Sequence, residues 1–303
     1  MATPTLIDVI DCSAAGALGT GIAGCRTNRK RVTTLYLFPS DFIFDTAVID
    51  KDYMQTQQTL EKLIVLEGVV DFVDSTPEDS YATRNGSGDK TLLTQFPYEY
   101  TASFDNGYKF QAALDSLSGK GNYSLVVGDV DDVLWMTKDL QGNVKPFAVS
   151  VHQAGKYLGE DGTNQASETF FMQFSQRKEI DRRMAMYKPT DFGSTDLKGV
   201  NDVTITVNPI TAPSTALVFK PLLNDGTHMA EGLVAGDFIF KKNGSVITPT
   251  GAVYNTTAKT VTTTLAAGAT AADVYSVEID GIVLVAGSGI LYKTEAAGTV
   301  IAG

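Results

Sequence analysis

The spacing of apolar positions divides the chain into helix-like and strand-like stretches. Between residues 105 and 119, Phe110, Ala113, Leu114 and Leu117 fall at i, i+3, i+4 and i+7. That is one face of a 3.6-residue period and predicts a helix. Asp105 or Asn106 is placed to cap its start, and Gly119 to follow its end. A weaker helical pattern covers 50–68 and ends at Gly68. Strand patterns surround both, at 31–38, 68–75, 91–104, 122–129, 132–139, 144–153 and 168–176. The stretches 133–139 and 144–152 join through Leu140-Gln141-Gly142-Asn143 and read as a hairpin. In the last stretch Phe170, Met172 and Phe174 alternate, which predicts one buried face.

The pattern changes near residue 190. Most aromatic and charged residues lie before it; Thr, Val, Ala and Gly dominate after it. The segment 187–202 mixes Pro, Gly, Ser and Asp as a linker does. Beyond it only strand patterns occur. Residues 202–208 alternate with period two, and 237–249 form a hairpin pattern with Asn243-Gly244 at the turn, a pair suited to positive φ. Roughly seven short strands are expected there, as in an immunoglobulin-like β-sandwich. The cysteine–tryptophan–cysteine hallmark of antibody domains is missing. The expected fold class is therefore mainly β with one or two helices (α+β) in an N-terminal domain, 1–190, followed by a linker, 191–201, and a sandwich, 202–303.

Composition narrows the function. The chain has 303 residues, 43% of them hydrophobic, and a net charge of −11. Residues 1–195 carry −8 of that charge. An acidic chain repels phosphate backbones, so nucleic-acid binding is not expected as a main activity. No run of eighteen apolar residues exists, and no membrane partner is expected. The N-terminus lacks the basic and apolar regions of a secretion signal. Two cysteines, Cys12 and Cys25, without companion histidines make no zinc site.

The motifs that would carry chemistry fail on context. Gly19-x-Gly21-x-x-Gly24 matches a dinucleotide fingerprint, but eight residues separate it from the preceding apolar stretch. The residues after it have no helical periodicity. Residues 1–30 read instead as an arm of small residues that permits close backbone approach to a neighbouring subunit. The basic cluster Arg26, Arg29, Lys30 and Arg31 reads as a solvated or subunit-contacting loop. Asp129, Asp131 and Asp132 invite a metal, yet Val133 and Leu134 stand where a calcium loop needs an acid and a glycine. A two-carboxylate magnesium site or a plain turn remains open there. His152 and His228 are the only histidines; His152, in an alternating strand, reads as an edge or interface position. No nucleophile elbow or zinc-protease motif occurs. No cofactor and no catalysis are expected.

Arg177, Lys178, Glu179, Asp181, Arg182 and Arg183 form a dense charge mixture after a buried-looking strand. Such a mixture suits subunit contacts, where charge pairs set register, or equally a solvated surface.

With its helix at 106–117 among strands, its hairpin around 140–143 and its all-β segment from about 200, the chain resembles a structural protein of a tailed bacteriophage. The nearest likeness is to a major tail tube protein with a C-terminal immunoglobulin-like domain. The resemblance implies a virion location after assembly in the host cytoplasm. It implies a ring-forming homo-oligomer stacked into a tube, other virion proteins as partners, and transient, non-specific passage of DNA. It also implies an acidic channel wall, for which Asp71, Asp74, Asp129, Asp131, Asp132 and Asp139 are candidates. A capsid, head-decoration or neck protein, and a carbohydrate-binding or adhesive module, stay open as alternatives.

Overall fold

The structure, a computed structural model, describes residues 29–83, 88–160, 166–285 and 287–303. The glycine-rich fingerprint, Arg26 and both cysteines lie outside the described residues. Contacts group the chain into two compact units: one takes the chain up to Met54 and Lys62–Leu197, the other Gln55–Glu61 and Lys198–Gly303.

The first unit is built on antiparallel strands: β1 (Val32–Pro39), β2 (Ile64–Glu67), β3 (Val69–Asp74), β4 (Ser80–Thr83), β5 (Lys90–Thr94), β6 (Glu99–Phe104), β7 (Tyr123–Asp129), β8 (Leu134–Lys138), β9 (Val144–Lys145), β10 (Phe147–Ala154), β11 (Glu168–Phe174) and β12 (Met184–Tyr187). Three helices accompany them: α1 (Lys51–Thr59), α2 (Tyr108–Ser116) and α3 (Arg177–Arg183). β2 pairs with β1, and one residue later β3 pairs with β6. The break is Gly68, at φ +78, a conformation that side-chain-bearing residues rarely adopt. The circuit then runs β6–β11–β10–β7 and returns to β1. Taken as one bent strand, β2 and β3 thus nearly close a small barrel, with the far edge of β3 left unpaired. Its interior is filled by Leu35, Leu37, Tyr100, Phe104, Leu125, Phe147, Phe170 and Met172, among others.

Alternation gives β1 and β7 a second apolar face. Tyr36, Phe38 and Val126 point away from the barrel into another core, with Phe44, Ile49, Met54, Leu134, Met136 and Tyr187. Both strands are therefore near-continuous apolar runs in the sequence. β8 and β12 extend the sheet beyond β7.

Several expectations hold, and several are corrected by the packing. Phe170, Met172 and Phe174 are buried as alternation predicts. Helix α2 forms, with Leu114 in the barrel core and Phe110 and Leu117 against it. Ala113 is exposed, however, and Gln111 is buried in its place, its Nε2 donating to the Gly155 carbonyl. Neither Asp105 nor Asn106 caps the helix; the cap residue is Gly107, without a side-chain bond of its own. The helical pattern at 50–68 stops early. Glu61 takes φ 58, and Ile64–Glu67 joins the barrel as β2 because its apolar side chains are needed there. The hairpin around 140–143 is only two residue pairs deep. β10 leaves β8 and β9 and pairs with β7 and β11 instead.

The second unit is a two-sheet sandwich. Its strands are β13 (Val200–Val207), β14 (Ala216–Leu223), β15 (Phe238–Lys242), β16 (Ser245–Ile247), β17 (Thr250–Asn255), β18 (Thr260–Thr264), β19 (Val274–Ile279), β20 (Ile282–Leu284), β21 (Leu291–Ala296) and β22 (Gly298–Ile301). One sheet runs β17-β18-β14-β13 and continues through a parallel pairing into β21-β20; the other runs β16-β15-β19-β22. Read in chain order, this is the D-E-B-A and C′-C-F-G arrangement of an immunoglobulin-type sandwich. Val203, Ile205, Leu217 and Phe219 of one sheet share a core with Phe238, Phe240, Tyr275 and Val277 of the other. The strand count exceeds the expected seven partly because the β20–β21 hairpin is added between the last strands of the pattern. Asn243 and Gly244 both take positive φ at the β15–β16 turn, as expected of that pair.

Candidate functional site

One end of the barrel is covered by α2. The other end is, among the described residues, an open mouth, and the residues that shape it come from four separate stretches.

The first is the turn between β7 and β8. Asp129 is buried there. Its Oδ1 accepts from the N–H of Asp131 at 2.9 Å and of Val133 at 3.1 Å. Its Oδ2 accepts from Trp135 Nε1 at 2.7 Å and, more weakly, from the Lys30 N–H at 3.4 Å. A carboxylate so occupied organises the turn and aims the indole into the mouth. The second stretch is the entry to β1. The Arg29 guanidinium lies 4.8 Å from the Phe72 ring centroid and 5.1 Å from that of Tyr100, a double cation–π contact. The two rings stack at 4.9 Å.

The third stretch is α3. Glu179 is buried, with Oε1 receiving Lys145 Nζ at 2.7 Å and Oε2 the Ala148 N–H at 2.9 Å. Arg177 donates to Asp79 Oδ1 at 2.9 Å and to the Phe96 carbonyl at 3.0 Å, and lies over the Tyr98 ring. Asp181 accepts from the Tyr98 hydroxyl at 2.8 Å. The fourth is the aromatic end of β10 and β11. Together these stretches enclose a cavity of about 280 Å³ lined by Arg29, Tyr100, Val127, Trp135, Phe147, Phe174, Ile180 and Met184.

From the rim projects a two-stranded ribbon, β4 with β5. Every position of β5 is exposed, and Tyr81, Leu92 and Leu93 are bare apolar side chains. Tyr81 and Leu92 are cross-strand partners on one face, and Leu93 points to the other.

The residues expected to act at subunit contacts thus gather on one short helix, but four of them are engaged within the chain: Arg177, Glu179, Asp181 and Arg183. Lys178 and Arg182 are exposed, and Arg183 Nη2 reaches Gln176 Oε1 at 3.1 Å. The candidate channel acids are not one cluster. Asp71 and Asp74 are exposed on β3. Asp131 is exposed beside the β7–β8 turn, and Asp132 there receives the Ser194 N–H at 2.8 Å. Asp139 lies at the β8–β9 turn. Asp129 is corrected outright: it is interior and presents no charge to any wall. Asp139 closes its own turn, accepting from the N–H groups of Gln141 and Asn143, each at 2.8 Å. Burial would raise its carboxyl, but the Asn143, Gln141 and Gly142 bonds hold it below the usual value.

His152 is also corrected. It is fully buried, against Tyr123 at 5.2 Å and Phe170 at 6.3 Å between ring centroids, and not at an edge. Burial pushes its imidazole below the ordinary value. His228 is exposed beside Asp225.

The mouth itself was not legible. Trp135, Phe147 and Phe174 alternate in strands as core residues do, and nothing in the spacing marks the end of a barrel. Among the described residues no His, Cys, Asp and Glu group is placed to hold a metal ion, and no helix is long and apolar enough to cross a membrane. A scan against protein-family models found no match, and neither did a search of curated proteins.

Proposed function

We propose that the protein is a self-assembling structural protein of a phage virion, of the tail-tube kind, whose N-terminal unit forms rings that stack around a channel for DNA. The observation that carries the reading is the β4–β5 ribbon. A lone two-stranded ribbon is marginal in water, and one with Tyr81, Leu92 and Leu93 bare gains stability only against a partner. The exposed outer edge of β3, with Val70 and Val73 bare, points the same way.

The charge balance supports the same reading. A basic wall would bind phosphates and hold DNA fast, whereas an acidic wall repels the duplex over a distance that salt limits to about 8–10 Å. Asp71, Asp74 and Asp131 are the exposed acids of the original set that such a wall can draw on.

The test is electron microscopy and light scattering on the purified full-length chain. Rings or stacked tubes are expected, with net negative charge on the inner wall. A monomer at every concentration, or a ring with a neutral or basic inner wall, overturns the reading.

A further inference from the structure

We propose that the barrel mouth is a socket for the ribbon of a second copy, the Tyr81–Leu92 face of one chain seating against Trp135, Phe147, Phe174 and Met184 of the next. The inference rests on the self-assembly proposed above and names the contact that would make it.

Four observations carry it. The socket is aromatic, with about 280 Å³ of space; Met184 is exposed at it, and Trp135, Phe147 and Phe174 lie buried behind. The ribbon offers a contiguous apolar pair on one face, because Tyr81 and Leu92 lie directly opposite each other. Its base is fixed at its own rim: Asp79 Oδ1 holds Arg177 Nη1 at 2.9 Å and the Phe96 N–H at 3.1 Å. A ribbon anchored at both strands cannot fold back into its own mouth, and Tyr81 and Leu92 are accordingly exposed. Finally, charge is complementary on balance. Beside the mouth exposed Lys30, Arg31, Lys178 and Arg182 outnumber exposed Asp131 and Asp181; along the ribbon and the stretch leading into it exposed Asp71, Asp74, Glu78 and Asp89 outnumber exposed Lys90. Such pairs steer encounter and fix register more than they add affinity.

One ribbon and one socket among the described residues of each chain make a heterologous, head-to-tail contact. Repeated with a closing rotation, it gives a ring. The apolar plug would supply most of the association, since aromatic pockets filled by a partner's side chain dominate interfaces.

The experiment uses the full chain with Cys12→Ser and Cys25→Ser. Leu92→Cys and Met184→Cys are placed in separate preparations, mixed and oxidised. A disulfide between the two chains, absent when either preparation is oxidised alone, is expected. In parallel, Leu92→Asp in the otherwise natural chain should abolish assembly while leaving the circular-dichroism spectrum of the folded chain unchanged. Leu93→Asp, on the opposite face, should change assembly much less. If the unaltered chain assembles but no mixed disulfide forms and Leu92→Asp assembles normally, the socket is refuted and self-assembly stands. Loss of assembly in Leu93→Asp alone refutes it as well. With both substitutions placed in one chain as a further preparation, a disulfide formed only within that chain refutes it in favour of the chain's own ribbon. A small molecule found seated in the mouth by native mass spectrometry of the purified chain overturns it in favour of a ligand. If the unaltered chain never associates, the self-assembly reading falls first and takes the socket with it.

Discussion

Asp129 Oδ2 holds Trp135 Nε1 at 2.7 Å, across a turn whose own backbone is bonded to the same carboxylate. A residue that looked like part of a metal-binding or channel-lining triplet is therefore a piece of internal scaffolding. Removing it strands the indole N–H and the Val133 N–H inside the protein and leaves the Asp131 N–H without its acceptor. Asp129→Ala should cost about 3 kcal/mol, because each donor left without a partner carries its full desolvation penalty. Asp129→Asn keeps the shape and one acceptor oxygen and should cost less. Urea unfolding followed by Trp135 fluorescence measures both; equal stability of Asp129→Ala and the natural chain would refute the assignment.

How much of this could be read from the residues follows from the range of each interaction. The mainly β class, helix α2 and the Asn243-Gly244 turn were legible because each depends on neighbours within a few positions. Phe170, Met172 and Phe174 were legible because alternation alone sets their face. The barrel was not, since its closure depends on a bend at Gly68 that splits one strand between β1 and β6. The cap of α2 was not, because its acceptor stands some sixty residues away along the chain. The channel acids were read from composition, which counts charge but cannot say that Asp129 faces inward. The mouth is a property of where strands end in space, and single-strand periodicity carries no trace of that.

The distant cap yields a second prediction. Glu168 is buried on β11, and its Oε2 and Oε1 accept from the N–H groups of Asn106 at 2.9 Å and Gly107 at 3.1 Å. A carboxylate at a helix N-terminus satisfies free donors and complements the dipole. Glu168→Ala should destabilise the chain by about 2 kcal/mol. The loss should be local first: amide exchange in 106–111 should speed up before that of β7 or β10. Uniform protection in the variant would show that α2 does not depend on this cap.

Glu179 anchors α3 to the sheet through Lys145 Nζ and the Ala148 N–H. Lys145 remains a quarter exposed, so solvent screens part of the attraction. With that discount, Glu179→Ala should cost about 2 kcal/mol, mainly from the stranded amide and the unpaired ammonium. Glu179→Gln should recover the amide contact but not the ion pair. Because α3 supplies Ile180 to the mouth, Glu179→Ala should also raise the mobility of Trp135. Fluorescence anisotropy of that single tryptophan reads this; an unchanged value would mean that α3 is held by other contacts.

The buried histidine gives the pH prediction. Burial lowers the His152 pKa in the folded chain, whereas in the unfolded chain it returns to about 6.5. Above pH 6.5 neither state binds the proton, and the full stability is present. As pH falls through 6.5 the unfolded state takes up a proton that the folded state resists, so stability decreases. The decline continues until the folded pKa is reached and then stops. His152→Phe should remove this contribution between pH 7 and 5. The replacement keeps an aromatic ring against Tyr123 and Phe170. Thermal unfolding at pH 8, 7, 6 and 5 should therefore show a falling Tm for the natural chain and a flatter line for the variant. Parallel lines would mean that the acid sensitivity comes from the carboxylates, and that the buried imidazole plays no part in it.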